Sequence, residues 1–202
     1  MEGSFLRHTL VALLIILLEF STNLASNPSD NSNIEYIRTS CSGTIYRRLC
    51  YRSLSVYAAK IKSNPKTLAN TALNITLKAT KSTSRMMVKM SRIPGMIPRE
   101  TAGAVADCIE VIGDSIDELQ DSMDELGHIR NSNFWLTMGD VQTWVSAALT
   151  YEDTCVDGLQ GRPLNGYTKT MIRRHILKVA HLTSNALALI NSYAAGSNPP
   201  SP

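Results

Sequence analysis

AGAVADCIEVIGDSIDELQDSMDEL, residues 102–126, decides the fold. Its apolar residues stand at Ala102, Val105, Ile109, Ile112, Ile116, Leu119, Met123 and Leu126, stepping by three and four without a break. That period collects them on one stripe of an α-helix, and a one-striped helix has to bury its stripe against others. Three further segments repeat the pattern. The first runs Leu68, Ala72, Ile75, Ala79, Thr83, Met86, Met90, Ile93. The next runs Phe134, Met138, Val141, Val145, Ala148, Glu152, Cys155, widened by Trp144 and Leu149. The last runs Ile172, His175, Val179, Leu182, Ala186, Leu189, Tyr193. No segment alternates apolar and polar residues over a useful length, so no strands are expected.

The punctuation agrees. Asn64-Pro65 reads as an N-cap followed by proline at the first helical position. Pro94-Gly95-Met96-Ile97-Pro98, Gly127 to Asn133, and Gly158 to Gly166 separate the four segments. Connections this short make sequential helices antiparallel neighbours. Ile34–Cys41 and Thr44–Lys62 read as shorter helices around Ser42-Gly43. The expected fold is all-α: an up-down-up-down four-helix bundle over 64–195, preceded by a helical hairpin over 34–62. Residues 26–33 read as a flexible start and 196–202 as a polar tail.

Residues 1–25 carry Arg7 and His8 ahead of an apolar run, Leu10 to Leu18, followed by Glu19 and small polar residues. The run is too short to span a bilayer and reads as a signal peptide. The mature chain is therefore expected to be secreted. It would have about 177 residues (202 − 25) and a net charge of +4 (19 basic − 15 acidic), which does not imply a nucleic-acid partner. In that compartment the four cysteines, Cys41, Cys50, Cys108 and Cys155, read as two disulfides. They lack the Cys-x-x-Cys or nearby histidine of a zinc site. Of three possible pairings the spacing ranks one first: Cys41 with Cys50 staples the hairpin, leaving Cys108 with Cys155 to tie two long helices. In the chain-entropy model the long loop contributes roughly 4 kcal/mol and the short one about 2.5–3. Cys108 lies early in the second bundle helix and Cys155 late in the third, and antiparallel helices bring those levels together. Asn74-Ile75-Thr76 is the one glycosylation sequon.

Catalytic signatures are missing: no Gly-x-Ser-x-Gly, His-Glu-x-x-His, Gly-x-Gly-x-x-Gly or P-loop occurs. Ser63-Asn64-Pro65-Lys66 fits Ser-x-x-Lys, but it lies at a helix start, where serine caps. No enzyme, metal or cofactor is expected. The polar faces are more telling. Glu110, Asp114, Asp117, Asp121 and Asp124 line one edge of the second bundle helix, with Glu118 and Glu125 beside them. Lys78, Lys81, Arg85, Lys89 and Arg92 form a basic stripe on the first. Such a row is ordinarily a solvated face, but like charges along one helix edge oppose folding, so the edge is a candidate docking surface for a complementary partner. A straight row does not supply the converging ligands of a calcium site.

These residues resemble the plant invertase/pectin methylesterase inhibitor family. The resemblance lies in Cys41-Ser42-Gly43-Thr44-Ile45-Tyr46-Arg47-Arg48-Leu49-Cys50, which is similar to its Cys-x-x-Thr-x-Tyr-x-x-x-Cys hairpin. It continues in Ala106-Asp107-Cys108-Ile109-Glu110 with Asp114, Asp117 and Leu119. It ends in Gln142 to Thr150, which leads into Thr154-Cys155-Val156-Asp157-Gly158. It covers about residues 33–195. It implies the disulfides Cys41–Cys50 and Cys108–Cys155, and a secreted, non-catalytic bundle acting in the cell wall. The implied partner is pectin methylesterase, in a one-to-one complex that covers the enzyme's carbohydrate cleft. The implied partner-binding residues are Glu110, Asp114, Asp117, Thr154 and Asp157. No esterase domain follows within the chain, so a free-standing inhibitor is expected. The alternative within the family is acid invertase, whose inhibitors carry Pro-Lys-Phe near the last helix where this chain has Arg162-Pro163-Leu164. A more distant alternative is a small-ligand carrier with a pliable pocket around Met86, Met87 and Met90.

Overall fold

The computed structural model describes residues 28–164 and 166–197; the leader and most of the polar tail lie outside these. Helices α1 (Pro28–Ser42), α2 (Arg47–Leu54) and α3 (Ala58–Ile61) form the hairpin, with a 3₁₀ turn at Ser55–Tyr57. The bundle follows as α4 (Pro65–Ser91), α5 (Arg99–Gly127), α6 (Phe134–Gly158) and α7 (Gly166–Gly196). Each bundle helix packs on its two sequence neighbours and α7 closes on α4, so α4 lies diagonal to α6 and α5 to α7.

Helix α1 starts earlier than the apolar pattern predicts, inside the stretch read as a flexible start. Proline stands at its first position, and Asn33 is held from outside the helix, its Oδ1 accepting from Ser63 Oγ at 3.0 Å. The Thr44–Lys62 segment is not one helix but α2, the 3₁₀ turn and α3. The link to the bundle turns at Lys62 and Ser63, both with positive φ (48° and 53°). Asn64 then caps α4 as expected, its Oδ1 accepting from Thr67 N at 2.8 Å, with Pro65 behind it.

The hairpin packs on its own bundle. Ile37, Leu54, Ala58, Ile61 and the Cys41–Cys50 bridge bury against Leu68 and Ala72 of α4 and Ala186 and Leu189 of α7. A polar clamp fixes the position. Buried Asn185 accepts from Tyr46 N and donates to Tyr46 O, both at 3.1 Å. One turn earlier, His181 stacks on the Tyr46 ring at 3.6 Å. Burial pushes the His181 imidazole below its ordinary pKa, against the opposing pull of Asp153.

The seams of α4 and α5 differ in phase from the sequence reading. On α5 the buried residues are Thr101, Val105, Cys108, Ile112, Ser115, Leu119, Ser122 and Leu126; Ala102 is exposed, and Ile109, Ile116 and Met123 flank the seam half-buried. On α4 the seam runs through Ala69, Leu73, Thr76, Thr80, Thr83, Met87 and Met90. Threonine enters a core because its hydroxyl can return to its own helix. Thr76 and Thr80 donate to the carbonyls of Ala72 and Thr76, both at 2.9 Å, which leaves the methyl face to pack.

Two apolar clusters fill the bundle, one around Leu73, Leu119, Val145 and Ile190, the other around Met87, Ile112, Cys155 and Ile176. Along every helix a polar residue lies between them: Thr80 and Thr83 on α4, Ser115 on α5, Glu152 on α6 and Thr183 on α7, all buried. Glu152 Oε1 accepts from Ser115 Oγ at 2.8 Å and Thr183 Oγ1 at 2.9 Å. Met87 and Met90 are packing residues of the second cluster.

Candidate functional site

The phase of α5 decides what it shows to solvent. With Cys108, Ile112, Ser115 and Leu119 in the seam, the helical repeat turns Glu110, Asp114, Asp117, Asp121 and Asp124 outward, and all five are exposed. None of them forms an ion pair with another described residue; among these the one ion pair is Glu35 with Arg38 on α1. The charges are therefore uncancelled, and half-buried Glu118 registers them. Partial burial first, then Asp121, Asp114 and Asp117, hold its carboxyl above the ordinary range. Glu125 is committed elsewhere, accepting from Thr137 Oγ1 at 2.9 Å near the start of α6.

The Cys108–Cys155 bridge joins α5 to α6 with Cα atoms 4.5 Å apart. Beside it runs a groove of about 200 Å³ lined by Ala104, Asp107, Val111, Thr154, Gly158 and Arg162 as well as the two cysteines. Thr154 Oγ1 donates back to Thr150 O at 2.7 Å, so its oxygen is left to accept from a partner. Asp157, three residues further on, is exposed and accepts from Gln160 Nε2 at 2.9 Å.

Of the five expected partner-binding residues, Thr154 lines this groove. Asp114 continues its α5 wall at helical spacing from Asp107 and Val111. Glu110 and Asp117 face further outward on α5, and Asp157 stands one turn beyond Thr154. Asp107, outside that set of five, also lines the groove. The signal was present, since 107, 110, 114, 117, 121 and 124 continue the three-four step backward by one residue.

The other residues singled out have structural work. Ser63 sits in the positive-φ turn bonded to Asn33. The sequon lies mid-helix on α4, with Asn74 half-buried and Thr76 in the core. Among the described residues no three His, Cys, Asp or Glu side chains converge as metal ligands, and no helix is long and apolar enough to cross a membrane.

A family model described as plant invertase/pectin methylesterase inhibitor matches residues 35–189. The chain belongs to that family. Among curated relatives it is 49% identical over 174 residues to pectinesterase inhibitor 10 of Arabidopsis thaliana, an alignment that takes in 85% of this chain and 55% of that one. The chain thus spans about half the length of that relative. It is 41% identical to a 21 kDa protein of Daucus carota (91% and 92% covered). It is 39% identical to pectinesterase inhibitor 9 of Arabidopsis thaliana (94% and 95% covered). Among solved structures it is similar to a mutant form of a pectin methylesterase inhibitor from Arabidopsis, with TM-score 0.60 and 22% identity over 77% of this chain and 95% of the other. That likeness carries the inhibitor bundle fold, and the fold is the one the sequence pattern implies.

Proposed function

We propose that this member of the invertase/pectin methylesterase inhibitor family is a secreted, non-catalytic inhibitor of a pectin methylesterase. It acts by laying the α5–α6 face over the enzyme's substrate groove in a one-to-one complex. The observation that carries the reading is the row of exposed, unneutralised carboxylates on α5 beside a groove cross-linked to α6. The esterase acts on a uronic acid polymer, so its groove is built for a chain of carboxyl and hydroxyl groups. Glu110, Asp114 and Asp117 offer carboxylates, Thr154 a hydroxyl, and Asp157 a further carboxylate. No bond is made or broken; the polymer is excluded because the site is covered. The Cys108–Cys155 tie holds the two helices in register before binding, so less freedom is lost on docking.

The test is an esterase assay with the oxidised protein across mildly acidic pH, with an acid invertase assayed in parallel. The reading expects esterase inhibition saturating at one equivalent and little effect on invertase. Asp114→Asn with Asp157→Asn should raise the inhibition constant about tenfold with helicity unchanged. Full inhibition by that double variant would remove the acidic face from the mechanism, and invertase inhibition alone would replace the target.

A further inference from the structure

The acidic face has a basic counterpart outside the proposed inhibitory surface. From Tyr36 to Arg99 the sequence holds thirteen lysines and arginines and not one aspartate or glutamate. From Glu100 to Asp157 the balance inverts to thirteen acidic residues against one arginine, and after Asp157 five basic residues follow with no acidic one. The fold keeps this division in space. α5 and α6 form one side of the four-helix square, and α4 and α7 form the opposite side. At the α4–α5 seam a cation of α4 meets a neutral partner, Lys81 Nζ donating to Gln120 Oε1 at 2.9 Å. None of the cations on α4 pairs with a carboxylate of another described residue.

On α4 the charges are ordered. With Thr76, Thr80, Thr83 and Met87 in the seam, Lys78, Arg85, Lys89 and Arg92 all stand exposed. Their spacing by seven, four and three residues aligns them on one outward line, about 21 Å long at 1.5 Å per residue. The far end widens into an open groove of about 510 Å³ lined by Ser84, Arg85, Val88, Lys89, Arg92 and Ile93. A line of guanidinium and ammonium groups above a shallow trough suits an extended polyanion better than a compact ligand. Two arginines give planar forks that match carboxylates.

We propose that the α4 face is a second binding surface, for a linear polyuronate bearing free carboxylates. The choice of uronate rests on the esterase reading, because de-esterified polymer is what such an enzyme leaves behind. The surface itself rests on the charge division alone. Since the two faces are on different sides, one molecule can hold the polymer through α4 while α5 and α6 cover an enzyme. The inhibitor is thereby concentrated where free carboxylates accumulate, by effective concentration and not by tighter docking.

The probe is polygalacturonate, with highly methyl-esterified polymer as the uncharged comparison. Binding of the full oxidised protein is measured by co-sedimentation and biolayer interferometry at pH 6 over a range of salt. The expected result is retention on the free acid, weak retention on the ester, and a steep decline with salt, as for other polyelectrolytes. Arg85→Gln, Lys89→Gln and Arg92→Gln together should weaken polymer binding about tenfold or more while esterase inhibition in solution is unchanged. Asp114→Asn should do the reverse, so loss of one activity does not imply loss of the other. Unaltered binding by the triple variant overturns the proposal, and so does equal affinity for both polymers. Sedimentation velocity supplies a third decision: self-association abolished by the triple variant, with no polymer binding, would make the occupant the acidic face of a second copy.

Discussion

Glu152 makes the stability of this bundle pH-dependent, and the size of the effect follows from its surroundings. The carboxyl is fully buried; Oε1 accepts from Ser115 and Thr183, while Oε2 has no hydrogen-bond partner. Burial, with a smaller push from Asp153, raises its pKa to about 7 against the pull of the two hydroxyls. In the unfolded chain the group returns to 4.5, the ordinary value for glutamate. A folded pKa above the unfolded one favours the protonated, folded state. The contribution is therefore complete below the unfolded pKa and is lost as pH rises through the folded one. A gap of this size amounts to about 3 kcal/mol across the whole window, of which about 2 kcal/mol disappears between pH 5.5 and 8. Glu152→Gln keeps the shape and the acceptor but cannot ionise. Urea unfolding with the disulfides intact, followed by circular dichroism at pH 5.5 and 8, should show the wild type losing about 2 kcal/mol that the variant keeps. At pH 8 the variant should be the more stable protein; at pH 5.5 it should equal the wild type or fall about 1 kcal/mol below it, because its amide N–H groups are unpaired. An identical pH slope in both proteins would refute the reasoning.

Three further outcomes follow from other parts of the fold. Replacing Cys108 and Cys155 by alanine opens a loop of 47 residues and should cost about 4 kcal/mol in the chain-entropy picture, read as a fall in urea midpoint well beyond that of the Cys41/Cys50 pair, whose nine-residue loop corresponds to about 2.5 kcal/mol. Asn185→Ala strips both bonds from the Tyr46 backbone at about 2 kcal/mol; hydrogen exchange should accelerate across residues 34–62 with the α5–α6 core still protected, and uniform acceleration would contradict a local clamp. Asp107→Asn should weaken esterase inhibition as much as Asp114→Asn, because both stand on the groove side of α5; a silent Asp107 would place the contact further out on the helix.

The four bundle helices were legible because each depends on local spacing, whereas the boundaries of the hairpin helices were not. The three-four steps around Val105, Ile112, Leu119 and Leu126 identify α5 whichever way its flanking residues lean. Asn64-Pro65 marks the start of α4 through the chemistry of one turn. The phase of the seams was less legible, since an apolar count passes over Thr76, Thr80, Ser115 and Ser122. Those side chains are core residues only because their hydroxyls return to the helix backbone or, for Ser115, reach Glu152. The early start of α1 escaped for a related reason, as Asn33 is held by Ser63, thirty residues away.

The sequence by itself determined that this chain makes amphipathic helices, that its cysteines can bridge them, and that acidic and basic rows occupy separate segments. Apart from the bridge between Cys108 and Cys155, 47 residues apart, those are properties of neighbours within a few turns. Which rows end on opposite sides, that Asp107 and Thr154 share a groove, and that Glu152 is sealed between two apolar clusters were decided only when four helices closed around one axis. Burial and its effect on a carboxyl depend on residues 31 and 37 positions distant, which no local pattern encodes.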